Sequence, residues 1–134
     1  MYERDQLERL LQRLFKSGPL RRLPRKRQEA DALMALALSG LDPEGIFEES
    51  EINLHLIQWL AGIALENSDA DYVTVRRAMV DARFLRRATD GVIYRLVPER
   101  ISESITVAAQ DLDPGTILEA MSAAREERQR VHGT

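Results

Sequence analysis

Cysteine is absent, and histidine is limited to His55 and His132. That removes disulfides, thiolate catalysis and cysteine-ligated metal together. No apolar run approaches the roughly 20 residues that span a bilayer. The charged start, MYERDQLERL, lacks the apolar stretch of a signal peptide. A cytoplasmic protein with no membrane partner is the expectation. No glycine-rich phosphate loop and no nucleophile motif is present. Carboxylates are plentiful, yet no pair stands out from a helix-surface background. Glu51 and His55 are four apart on a helix, but two ligands do not make a metal site. His55 is expected on an exposed polar edge. The expectation is therefore not an enzyme, with no catalytic residue, no metal and no cofactor.

A basic excess is also lacking. Net charge is −3, a poor overall footprint for a nucleic-acid binder. The distribution differs from the total. Residues 16–28 hold Lys16, Arg21, Arg22, Arg25, Lys26 and Arg27 before the first acids of the next helix. Residues 72–87 hold Arg76, Arg77, Arg83, Arg86 and Arg87 against Asp81 alone. Acids gather in 42–51 and in the C-terminal tail. Such a chain is able to present a basic face under an acidic total.

What is present is mostly helical patterning. Leu7, Leu10, Leu11, Leu14 and Phe15 recur at helical spacing, predicting a helix over 1–17 that Gly18 and Pro19 stop. Pro24 suits the first turn of a second helix. Its stripe is Ala30, Leu33, Met34, Ala37 and Leu38, and Ala35 and Leu36 make it apolar nearly all round, which implies burial on more than one side. Asp42-Pro43-Glu44-Gly45 is a turn, and Ile46-Phe47-Glu48 a short strand. Ser50 is the expected cap of a third helix with Ile52, Leu56, Trp59, Leu60 and Ile63 inward, Trp59 as core anchor, and an end at Asn67-Ser68. Asp71 or Asp69 caps a fourth. Its Tyr72, Val75, Met79 and Ala82 share one side, and Thr74, Arg77 and Asp81 the other. Phe84-Leu85 opens an extended segment, Thr89-Asp90-Gly91 supplies a hairpin turn, and residues 92–97 are the return strand. Beyond Pro98, Ile101, Ile105, Ala108, Ala109 and Leu112 fit a helix, although 105–107 fit a strand equally. Asp113-Pro114 opens a last helix.

Helix, short strand, helix, helix, hairpin is winged-helix order. The expected fold class is α+β, mostly helical: one domain over 1–134, with a winged-helix-like core at 24–97, an N-terminal helix at 1–17 and a C-terminal helical extension at 98–134. FKSGPLRRLPRKR from Phe15, SEIN from Ser50, DYVTVRRAMVDARFLRR from Asp71 and the Gly91 and Tyr94 pair together resemble the uncharacterised bacterial domain of unknown function 2087, over roughly residues 11–96. That resemblance implies a winged-helix-like module linked to transcriptional regulators. The stretch between Asn53 and Asp71 looks longer than in that family, and only one helix precedes the module.

Candidate nucleic-acid contacts follow from the basic clusters. Arg25, Lys26 and Arg27 crowd a helix start, where cations are disfavoured by roughly 0.3–1 kcal/mol each and a bound phosphate reverses the sign. Arg21 and Arg22 precede them. Thr74 and Arg77 form the outer face of the candidate recognition helix, and Arg86 serves from the hairpin. Alternatively, the trio is a solvated face balanced by Glu29, Asp31 and the 42–51 acids. Arg76 lies on the apolar side of its helix, so it needs a partner. Asn53 or a nearby acid, Glu51 or Asp71, is the expected one, in a structural polar network. The terminal helices carry apolar stripes outside the core and are expected to support a homodimer. The expectation is a transcription-associated protein binding double-stranded DNA through the basic patch. The alternative is a non-catalytic, dimeric protein-interaction module that retains the frame without binding DNA. Both basic clusters on one surface, free of the 42–51 acids, would favour the first.

Overall fold

The computed structural model describes residues 1–63, 71–90 and 92–133. The order is α1 (Arg4–Leu14), α2 (Arg27–Leu38), β1 (Ile46–Glu48), α3 (Glu49–Ala61), α4 (Tyr72–Asp81), β2 (Leu85–Arg87), β3 (Ile93–Leu96), α5 (Pro98–Ser104), a 3₁₀ turn (Val107–Ala109) and α6 (Pro114–His132). The architecture is mostly helical α+β. One three-stranded antiparallel sheet has the order β1-β3-β2. The short strand before α3 thus pairs with the return strand of the hairpin.

α2 lies at the centre. Every residue from Ala32 to Leu38 is buried, as its apolar circumference requires. α1 lays Leu7, Leu10, Leu11 and Phe15 against this core. α3 adds Ile52, Leu56 and Leu60; α4 adds Val75 and Met79; the hairpin adds Phe84, Leu85, Tyr94 and Leu96. α5 packs on α2, and the first half of α6 packs on α1 through Leu118, Ile117 and Met121. The N-terminus is tied to the end of α5. Tyr2 donates its N–H to Ser104 O at 2.9 Å and accepts from Thr106 N–H at 2.9 Å, a parallel bridge opposite Ile105.

Several boundaries differ from the sequence expectation. α1 ends at Leu14, and Gly18 turns the chain at φ 115°, a conformation glycine adopts without penalty. Pro24 does not open α2. Leu20 and Leu23 pack on the core and keep the connector irregular, so the helix starts three residues later, with extended Lys26 as its cap position. Ser50 does not cap α3. Glu48, the last residue of β1, does so in a reciprocal box: its carboxylate accepts from the Glu51 N–H, and Glu51 Oε1 accepts from the Glu48 N–H at 3.0 Å. Trp59 is half-buried at the edge of the α3 stripe and is no core anchor. Residues 98–112 are neither one helix nor a strand: α5 stops at Ser104, where Ile105 turns extended to meet Tyr2. Asp71 caps α4 and Asp113 caps α6, each accepting from a first-turn N–H. The expected helix end at Asn67-Ser68, the alternative cap Asp69 and the turn residue Gly91 lie outside the described residues.

α4 ends in a Schellman motif. Arg83 N–H meets Val80 O at 3.0 Å and Phe84 N–H meets Met79 O at 2.8 Å. The left-handed residue of such a motif is ordinarily glycine. Here it is Arg83, at φ 68°, at a cost of about 1 kcal/mol or more.

Candidate nucleic-acid interface

The connector after α1 carries Arg21 and Arg22 exposed while Leu20 N–H is bonded to Ile63 O at 2.8 Å, just past the C-terminal end of α3. Arg25, Lys26 and Arg27 stand exposed at the start of α2, where Lys26 makes no side-chain cap. The two acids expected to balance them point elsewhere. Glu29 pairs with Arg13 of α1, and Asp31 pairs with Arg100 of α5 at 2.7 Å. The trio makes no ion pair among the described residues.

The outer face of α4 is assembled differently. Thr74 and Arg77 are exposed, as their helical positions require. Thr74 is already engaged: Asp71 Oδ1 accepts from its N–H at 2.8 Å, and its hydroxyl donates to Asp71 Oδ2 at 3.0 Å. These two donors hold the Asp71 carboxyl below its usual range, with a smaller contribution from nearby Arg77. Asp81 lies four residues beyond Arg77 on the same side. The face is therefore a single arginine between two aspartates. Arg86 sits on the solvent side of the sheet directly opposite Arg95, a like-charge pair that costs the sheet stability.

Leu20 of the connector and the hairpin lie at opposite ends of α3, while the start of α2 reaches the α4–β2 corner through the Asp31–Arg100 pair. The connector is fastened at the C-terminal end of α3, whereas β1 and its paired hairpin run into the N-terminal end. A helix of 13 residues separates those ends by about 20 Å. The acids Glu48, Glu49 and Glu51 occupy the hairpin end.

Arg76 joins Asn53, but not Glu51 or Asp71. Its Nη1 donates to Asn53 Oδ1, and its Nη2 lies 3.4 Å from Glu49 Oε1. Tyr94 Oη donates to the same Glu49 oxygen at 2.8 Å, and the guanidinium lies 6.0 Å from the Tyr94 ring centroid. Burial, and then the bond to Glu49, push the Tyr94 hydroxyl above its ordinary pKa. Because α3 starts at Glu49, Glu49 and Asn53 are one turn apart and face α4 together. Glu51 is used in the cap of α3 and Asp71 in that of α4. The out-of-place arginine signalled the cluster; the choice of acid depended on where α3 begins.

Sequence reasoning missed Arg100. It is 14% exposed and binds Asp31, Ser104 Oγ at 3.1 Å and Ala82 O at 2.9 Å, with its guanidinium 4.4 Å from the Phe84 ring centroid. It thereby caps α4, whose last carbonyls carry partial negative charge. No local pattern marks it, since all its partners except Glu103 and Ser104 are distant in sequence. His55 is likewise not an exposed edge residue. It is half-buried and donates from Nε2 to Ala37 O at 2.6 Å, closing the end of α2. That use of the ring turns it away from any pairing with Glu51.

No helix among the described residues is long and apolar enough to cross a membrane. No curated protein and no solved structure matches the chain. A family model does, over residues 19–96, from the end of the α1 turn through the last residue of β3. With more than half of its length matched, the chain belongs to the family described as an uncharacterized protein conserved in bacteria, DUF2087.

Proposed function

We propose that the chain is a non-catalytic interaction module that keeps a winged-helix frame and pairs with a second copy of itself without reading DNA. The element order and the β1-β3-β2 sheet support the frame. The outer face of α4, one arginine between aspartates with its threonine engaged, argues against base reading.

One observation carries the proposal. Leu54 and Ile57 stand side by side on the outer face of α3, 56% and 46% exposed. Ser50 and Ala61 extend that stripe as small exposed residues, so a second helix is able to approach closely. Apolar neighbours held in water favour burial at an interface. The terminal helices are less suited to pairing than their patterning implied, because α1 and the first half of α6 bury their stripes within the chain. A two-fold pairing would place α3 on α3.

Sedimentation equilibrium from micromolar to several hundred micromolar tests this. The wild-type chain is expected to approach twice the chain mass, and Leu54→Glu with Ile57→Glu to remain monomeric with unchanged helicity. A wild-type chain that is monomeric throughout defeats the proposal.

A second reading rests on the exposed Arg25, Lys26 and Arg27, without ion pairs among the described residues, together with Arg21 and Arg22: non-specific contact with a DNA backbone. Anisotropy of a labelled random duplex checks it. Binding through these residues would weaken with salt at a slope of roughly 0.9 per phosphate contacted, and changing the trio to glutamine would lower that slope. No binding at tens of micromolar in low salt removes it.

A further inference from the structure

An open groove of about 420 Å³ runs between the α4–β2 corner and α5, within the range of small-molecule sites. None of its lining residues belongs to α3. Val80, Leu85 and Val97 give it an apolar lining. The α4–β2 side contributes Arg83, Arg86 and Arg87; Arg87 is engaged, whereas the side chains of Arg83 and Arg86 make no hydrogen bond or ion pair among the described residues. The α5 side contributes Glu99 and Glu103. Glu103 lies 3.8 Å from Arg100, while Glu99 has no ion-pair partner among the described residues. Arg100, fixed by its bonds to Asp31, Ser104 and Ala82, lines the groove as an immobile cation.

Opposite charges therefore line one cleft without closing it. Neither Arg83 nor Arg86 is paired with Glu99 or Glu103. A plain anion would gain from the arginines and lose to the glutamates; a plain cation would do the reverse. A dipolar ligand gains from both, and its apolar part has the half-buried Val80 and Val97 to lie on. Arg83 strengthens the case, because it occupies a left-handed helix end that glycine would take without strain.

We infer that the groove binds a short zwitterionic peptide with apolar side chains, its carboxylate at Arg83 and Arg86 and its ammonium at Glu99. This is independent of whether α3 pairs two copies.

Isothermal titration calorimetry on the whole chain tests it with three probes: leucyl-leucine, N-acetyl-leucyl-leucine and leucyl-leucinamide. The free dipeptide is expected to bind in the millimolar range or tighter, and each blocked form at least tenfold more weakly. Arg83→Gly, which suits the backbone there, should weaken the free dipeptide at least tenfold with helicity unchanged. Glu99→Gln should weaken the free dipeptide while leaving the acetylated form equal or tighter, which loss of structure would not produce. An acetylated form that binds as well as the free dipeptide overturns the inference in favour of a simple anion site. No heat with any probe at several times the millimolar range overturns it outright.

Discussion

Arg100 shows how one side chain unites distant segments. It binds the α2 acid Asp31, the α4 terminal carbonyl of Ala82 and the Phe84 ring, from a seven-residue helix. Asp31 is 13% exposed on its side chain, and its Oδ1 has no hydrogen-bond partner among the described residues, so Arg100 is its main compensation there. Removing one member of such a pair leaves a mostly buried charge uncompensated. Arg100→Met is expected to cost about 3 kcal/mol in urea denaturation. Adding Asp31→Asn should recover at least half of that loss. Equal losses in the single and double variants would mean that the Phe84 and Ala82 contacts carry the effect.

At the scale of the element, α4 depends on the residue that caps its start, Asp71. Asp71→Ala should lower stability by about 0.5–2 kcal/mol near neutral pH, the usual cost of losing such a cap. The Asp71 carboxyl is held below its ordinary value. Its stabilisation is therefore complete above the unfolded-state value, near 4, and is lost as pH falls through the lower folded-state value. The difference between wild type and Asp71→Ala should shrink below that range. Asp71→Asn keeps an acceptor for Thr74 and should lose the acid-dependent part alone. Thermal melts between pH 7 and 3 read all three. The same cap engages Thr74, the exposed threonine of α4, through both its N–H and its hydroxyl.

The whole molecule is larger than its family segment. Residues 19–96 omit Leu7 and Leu11 of α1, Phe15 just after it, and Ile105, all fully buried, as well as Ile101 and Ala109. They also omit Arg13, the partner of nearly buried Glu29, and Arg100, the partner of Asp31. Water would reach one side of α2, which is apolar all round. A fragment of residues 19–96 is expected to lack a cooperative thermal transition, whereas the full chain shows one. A sharp transition in the fragment would make α1 and α5 accessory layers.

Periodicity alone determined a good deal. The all-apolar α2, the α4 stripe of Val75 and Met79, the short strand at Ile46 and the β3 residues after the turn were all legible, because burial imposes spacings of 3.6 and 2 on local sequence. So was Arg76 as a misplaced charge. Helix starts were less so. Capping depends on one residue, and Glu48 and Lys26 compete with better-looking neighbours, Ser50 and Pro24. Three things rested on tertiary structure: the choice of Glu49 for Arg76, the role of Arg100, and the bond from His55 to Ala37. Each is a relation between residues far apart in the chain. Local spacing records which face of an element is buried, but not what that face meets.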